Sequence, residues 1–351
     1  MGQSRYRHGE LIAWASQLLR AAGLDAEKAR FVAEILVEAD LLGHDTHGLA
    51  LLPGYLGELA SGSMAKAGEP KVVADHPAAV TWDGQRLPGP WLVLKALDLA
   101  AERAKTQGTG TVVIRRSHHI ACLAAYLKRA TDRGLLMLLI CSDPNTASVA
   151  PFGGIDAVFT PNPIAAGFPT EGDPVLVDVS TSITTNAMTA RLHKAGSRLP
   201  GPWALDAKGN PTDDPGVLFG DPRGTILPLG GLDAGHKGFG LTLLVEALTG
   251  GLAGHGRADP KEGWSATVFL QVMDPRAFSG SEAFSRQTGH IARACRAARP
   301  RRVGEKVRTP GERGLSLARE QRANGVALHP GILPALAPWA EKLGAAPPSA
   351  L

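Results

Sequence analysis

The sequence predicts an α/β protein in which helical segments from both chain ends flank a central mixed α/β domain. Three observations carry that reading. Residues 10–42 repeat apolar side chains at spacings of three and four, the period of an amphipathic helix. From about residue 71 the texture changes to short β-branched runs, KVVA, AAVTW, TVVIR, LLMLLI, VLVDV and ATVFLQV, divided by turns and helical stretches. Beyond about 310 a helical, Pro-broken pattern returns and is expected to pack back on the N-terminal helices. A chain of 351 residues exceeds the usual single core, so two domains are expected. Residues 1–70 form the first part of a helical domain, 71–300 the α/β domain, and 301–351 return to the helical domain.

Taken in order, ELIAWASQLLRAAG reads as a helix closed by Gly23, and Asp25 caps a second helix running through EKARFVAEILVEADLLG. The stretch GHDTHG therefore presents His44 and His47 at a helix end. H-x-x-H without a nearby third ligand does not specify zinc, and proton transfer near neutral pH is the better use of His47. The strand TVVIR leads into SHHIACLAAYLKRA, putting Ser117, His118 and His119 at a junction with an amphipathic helix. One imidazole there could hold a phosphate or move a proton; equally, Ser117 could cap the helix and leave two partly exposed His. VLVDV delivers Asp178, then Ser180, Thr181 and Ser182, a set suited to ribose hydroxyls or phosphates, or to capping the next helix. GTGTVVI and GFGLTLLVEALTGG each hold a G-x-G without the third Gly of a dinucleotide fingerprint, so a Rossmann site is unsupported. The second still suggests a phosphate site. His236, Lys237, Gly238 and Gly240 lead into an apolar helix, where free N–H groups and an ammonium would converge. In the tail, helices are expected around Leu315 to Ala323 and Gly331 to Leu343.

Composition narrows the classes. A chain 44% hydrophobic and 20% charged is ordinary for a soluble globular protein. Cys122, Cys141 and Cys295 are odd in number and lack C-x-x-C spacing, which points to reduced thiols, with no metal site expected. MGQSRYRHGEL has no apolar signal core and no apolar run is long enough to span a bilayer, so a cytoplasmic protein without membrane partners is expected. The segment 292–314 carries eight Arg or Lys against two Glu, yet lacks interleaved aromatics or a binding motif. An anionic small ligand suits it better than nucleic acid.

Together the motifs resemble the malate/L-lactate dehydrogenase family, which includes ureidoglycolate, sulfolactate and 2-hydroxycarboxylate dehydrogenases and Δ1-piperideine-2-carboxylate reductases. ADLLGHDTHG is similar to its ADL-x-GHDSHG, RSHHIAC to S-N-H-F-G, and APFGGIDAVFTPNPIA to P-W-G-G…GTNPIA. VDVSTS resembles D-M-A-T-S, GPWALDAKGNPTDDP resembles G-W-ALD-x-G-x-PT-DP, LPLGG…HKGFGL resembles LPLGG…HKGYGL, and TPGERG resembles V-PGE-R. The match covers almost the whole chain in order. The S-H-H form and the absence of an Arg after HG look most similar to the broad-range 2-hydroxycarboxylate branch.

The resemblance implies an NAD- or NADP-dependent oxidoreductase with a non-Rossmann nucleotide domain on a largely antiparallel sheet. It also implies a helical domain made of both chain ends and a homodimer with the site near the interface. By position, His47 would be the proton donor or acceptor, Thr46 would orient it, and Tyr55 would line the substrate pocket. His44, His118, His119, Ile120, Ala121, Cys122, Asp178, Val179, Ser180, His236, Lys237, Gly238, Pro310, Gly311 and Glu312 would hold or border the cofactor. His119 also has an acid/base role in some members. Three positions depart from the pattern: Leu51 stands where many members have a carboxylate-gripping Arg, Met188 where most have a Lys, and Pro161 where GTNP has Thr. Leu51 and Met188 suit a bulky or hydrophobic substrate. The expected reaction is reversible hydride transfer to a 2-oxo acid, the alternatives being cyclic imine reduction or a homologue that has lost its chemistry.

Overall fold

The computed structural model describes residues 4–351; the start of the stretch read for targeting signals lies outside them. A seven-stranded sheet forms the centre. Across it run Lys71–His76, Ala79–Asp83, Thr109–Ser117, Ala266–Met273, Leu136–Ser142, Pro163–Phe168 and Val175–Ser180. Every neighbouring pair is antiparallel except Ala79–Asp83 with Thr109–Ser117. That parallel pair needs a crossover, which the helix Gly89–Gln107 supplies while covering the sheet face. The mixed, largely antiparallel α/β fold thus matches the expectation.

All six β-branched runs lie in these strands. The seventh strand, PIAAGF, was not expected, because Ala, Gly and Pro carry little β signal. Pairing on both sides holds it in place, and Pro163 is tolerated at its first position. Gly167 keeps the strand bare where Leu127 of the helix Ala124–Thr131 presses on it; an added Cβ would stand 2.9 Å from that side chain.

Both chain ends build the helical layer. Asp25 accepts hydrogen bonds from the Glu27 and Lys28 N–H groups, capping Ala26–Leu41 as expected. The tail helices Glu312–Asn324 and Ile332–Leu343 fall where the sequence suggested. Gln321 donates to the Asp40 and Leu41 carbonyls at 3.0 Å, tying the tail to the end of Ala26–Leu41. Trp14 donates to the Ala345 carbonyl at 2.9 Å, and Arg5–Tyr6 pairs antiparallel with Val326–Ala327. One apolar core runs from Leu18 and Ile35 through Leu97 to Val112 and Leu270, so helical layer and sheet are continuous. Among the described residues no helix is long and apolar enough to cross a membrane.

Candidate active site

The GHDTHG loop follows the end of Ala26–Leu41, where Gly43 turns the chain at φ 83°. It is fixed from below by Asp40. That buried carboxyl accepts the Leu49 N–H at 2.8 Å, and a Cβ on Gly48 would fall 2.3 Å from Asp40 Oδ1. Only glycine fits after His47. Burial raises the Asp40 pKa to about 8, so at neutral pH the loop rests on an uncharged acid. His47 itself is half-buried, with Nδ1 2.9 Å from Thr46 Oγ1. Burial lowers its pKa to about 4, helped by the neighbouring His44 and the Arg191 guanidinium, so the resting imidazole is neutral.

His47 faces a cluster of rings. Its centroid is 6.2 Å from His119, which stacks on Trp264 at 4.5 Å and 30°. The Ala121 N–H donates to His119 Nδ1, which makes Nδ1 an acceptor and leaves the proton on Nε2. Tyr55 OH reaches the same nitrogen at 2.9 Å and the His119 carbonyl at 3.2 Å. Burial holds His119 well below the ordinary imidazole range. Ala121 sits at φ 59°, a left-handed geometry that glycine adopts without strain. Behind these rings His118 is fully buried, with Nε2 3.2 Å from Glu58, and burial lowers its pKa against the pull of that carboxylate.

Several cofactor candidates lie along Val175–Ser180, Pro310 to Glu312 beside its start and the others toward its end. Asp178 Oδ2 accepts the Ala124 N–H at 2.8 Å and takes the Cys122 thiol at 3.7 Å. The Leu176 N–H donates to the Pro310 carbonyl, which brings Pro310 to Glu312 alongside. Leu229 N–H donates to the Thr181 carbonyl, and Thr242 to the Thr181 hydroxyl, docking the helix Gly231–Glu246 on the same strand end. Pro161 is adjacent, its carbonyl accepting both Thr181 donors. His44 completes the group, within 4.8 Å of Cys122 and Asp178.

Several expectations change. His236, Lys237 and Gly238 lie inside Gly231–Glu246, so they do not form a helix start. The helix begins earlier because Gly230 and Gly231, at φ 98° and 61°, make the turn. His236 meets Phe152 edge-on, and Lys237 is exposed. Ser117 ends its strand and bonds to the His118 carbonyl, with an irregular segment intervening before the helix at Ala124, so it caps nothing. The helix after Asp178 is capped by Thr185. Tyr55 is fully buried, its hydroxyl turned to the His119 ring and carbonyl. Leu51, in the turn Leu49–Leu51, packs partly into the core, whereas Met188 is 40% exposed on Asn186–Lys194. Ile120, Ala121 and Cys122 are buried, and Val179 is exposed.

Sequence reading missed four participants. Trp264 precedes a strand in a loop held by Arg86, which donates to its carbonyl at 3.1 Å; nothing local marks it. Glu58 and Asp40 appear only through the partners they bury. Arg191 stands one turn beyond Met188 and pairs at 2.9 Å with Asp45, inside the HDTH loop. The helical spacing from Met188 was the one available signal.

Known proteins resemble this chain over nearly its whole length. The sequence profile described as malate/L-lactate dehydrogenase matches residues 6–337. An L-lactate dehydrogenase of Cupriavidus necator is 32% identical over 343 residues, covering 96% of this chain and 97% of its own. The crystal structure of malate dehydrogenase from Entamoeba histolytica superposes with TM-score 0.91 over 98% of this chain and 99% of that one; at 24% identity it speaks for the fold alone. Δ1-piperideine-2-carboxylate reductase from Pseudomonas syringae superposes with TM-score 0.84 at 28% identity, covering 96% and 99%. The chain therefore belongs to the malate/L-lactate dehydrogenase family of oxidoreductases.

Proposed function

We propose that this protein interconverts a 2-hydroxy and a 2-oxo carboxylic acid with NAD or NADP, and that His47 moves the proton. The observation that carries this reading is the neutral His47, fixed between Thr46 and the His119 cluster on the loop whose His44 lies near Asp178. The residues fit a nicotinamide dinucleotide. Asp178 Oδ2 is engaged by Ala124 and Cys122, while Oδ1 meets no donor among the described residues and can accept from a ribose hydroxyl. Pro310 to Glu312 and Ser180 would border it, with Lys237 available to a phosphate. When bound, the nicotinamide supplies or accepts hydride. His47 gives its proton to the carbonyl oxygen in reduction and takes it back in oxidation. His119 Nε2–H, on the tautomer set by Ala121, polarises the same oxygen.

With Leu51 turned into the core, the substrate carboxylate needs another anchor. Arg191 has the charge and the position, exchanging Asp45 for the substrate. Met188 and Trp264 supply apolar walls, in keeping with a bulky or hydrophobic acid. A homodimer accounts for the leucines exposed on and after Gly231–Glu246, Leu241, Leu244 and Leu252, whose burial would otherwise be lacking. The likeness to a piperideine-2-carboxylate reductase supports a second reading, reduction of a cyclic imine.

The test is loss of reduced-nicotinamide absorbance, with NADH and NADPH separately. The panel runs from pyruvate to phenylpyruvate, with and without methylamine, plus a preformed cyclic imine. Turnover of free oxo acids upholds the first reading, and turnover of imines alone upholds the second. His47→Ala should abolish turnover and leave nucleotide binding nearly intact; equal loss of both would remove its assignment.

A further inference from the structure

His44, Cys122 and Asp178 come from three distant segments: the loop after Ala26–Leu41, the turn before Ala124–Thr131, and the strand Val175–Ser180. They bring an imidazole nitrogen, a sulfur and a carboxylate oxygen all within 4.8 Å of one another, the one such group of three among the described residues. Imidazole, thiolate and carboxylate are together the ligand set of zinc. With metal bonds of about 2.0–2.3 Å, tetrahedral ligand atoms stand roughly 3.3–3.8 Å apart, so closure asks for a shift of about 1 Å. His44 can supply it, because its side chain is exposed. The other two are already set: Cys122 Sγ lies 3.7 Å from Asp178 Oδ2, and the Ala124 N–H steadies that carboxylate at 2.8 Å.

We propose that His44, Cys122 and Asp178 bind a zinc-type divalent cation, with water or an anion in the fourth position, and that the cation and the dinucleotide exclude each other. No local motif marks this group, since H-x-x-H spacing draws the eye to His47 while Cys122 and Asp178 lie far along the chain. On binding, the Cys122 S–H bond breaks, its proton passes to solvent and the thiolate sulfur bonds the metal; no group is oxidised or reduced. Affinity should therefore rise close to tenfold per pH unit between pH 7 and 8. The exclusion, unlike the binding, rests on the assignment of His44 and Asp178 to the cofactor. A cation held there would act as a reversible inhibitor.

The experiment uses the full chain freed of metal by chelation and titrated with Co2+ as the spectroscopic probe. The expected result is one Co2+ per chain, with thiolate-to-cobalt charge-transfer absorption that is absent in Cys122→Ala and displaced by Zn2+. His44→Gln, an exposed substitution that spares the fold, should weaken Zn2+ at least about tenfold. No stoichiometric absorption, or the same absorption in Cys122→Ala, overturns the site. In a second arm, NADH and NADPH binding is followed by fluorescence as Zn2+ rises. A proportional increase in apparent Kd supports exclusion; unchanged affinity in a protein that shows the cobalt signature overturns it. If neither nucleotide binds the metal-free protein, the cofactor assignment is overturned instead, leaving the metal result to stand by itself.

Discussion

Replacing Arg191 by Gln isolates the proposed carboxylate anchor. A charge-assisted hydrogen bond to a carboxylate contributes about 1.5–3 kcal/mol. Against this stands the Asp45 pair that must first open. Its side chains are 30% and 39% exposed, and an ion pair that wet is worth about 0–1 kcal/mol. The difference, about 0.5–3 kcal/mol, corresponds to a roughly 2- to 140-fold fall in kcat/KM at 1.4 kcal/mol per factor of ten. The assay is steady-state reduction of the best 2-oxo acid at saturating reduced nicotinamide, repeated with the corresponding 2-oxo amide. The acid should lose the full factor, chiefly in KM, and the amide very little. An equal loss for acid and amide would mean that Arg191 acts through the HDTH loop instead of the carboxylate, and no loss for either would place the anchor elsewhere.

Two further substitutions read the scaffold beneath the site. Asp40→Asn keeps an acceptor for the Leu49 N–H while removing a group that ionises only with difficulty. Since the folded pKa is raised to about 8 above an ordinary carboxyl value, wild-type Asp40 loses its stabilising contribution as pH rises from about 4 to about 8. The variant should therefore gain stability relative to wild type across that window and level off above it. Urea unfolding at pH 5, 7 and 9 checks this, and a constant difference would show that Asp40 does not titrate in the window. Ala121→Gly relieves a left-handed backbone costing about 1–2 kcal/mol against an unfolded-state entropy penalty of about 0.5–1 kcal/mol. A small rise in Tm is expected; a fall would mean the methyl group's packing outweighs the strain.

Periodicity revealed what lies on a face, and little of what lies across one. The helix over 26–41, its Asp25 cap and the six β-branched strands were legible because each is written in neighbouring residues. PIAAGF was illegible because its strand geometry comes from partners on both sides. The same divide runs through the site. The HDTH loop and the strand ending in Asp178 announce themselves, but Trp264, Glu58 and Arg191 acquire meaning only once Tyr55, His118 and Asp45 are beside them. The helix start expected at Lys237 was misplaced for a related reason. An apolar run following G-x-G does not reveal how far upstream the helix begins, and here Gly230 and Gly231 start it earlier.

The protonation of His47 links these parts. A proton donor for carbonyl reduction must be charged, yet the free protein holds His47 at about 4, below the ordinary imidazole value, through burial, the neighbouring His44 and the Arg191 charge. Binding an anionic substrate on Arg191 would cancel its charge and set a negative one near the ring, drawing the pKa upward. Substrate binding and proton uptake should therefore be coupled. Between about pH 5 and 7, where the free imidazole is neutral, a 2-oxo acid analogue such as oxamate should bind the protein–NADH or protein–NADPH complex with net uptake of protons, and with lower affinity as pH rises. Calorimetry in buffers of different ionisation enthalpy measures the uptake directly. His47→Gln should abolish it, whereas Arg191→Gln should reduce it together with the affinity. Binding without proton uptake in the wild type would assign the donated proton to another group, and His119, with its Nε2–H held by the Ala121 contact, would be the residue to test next.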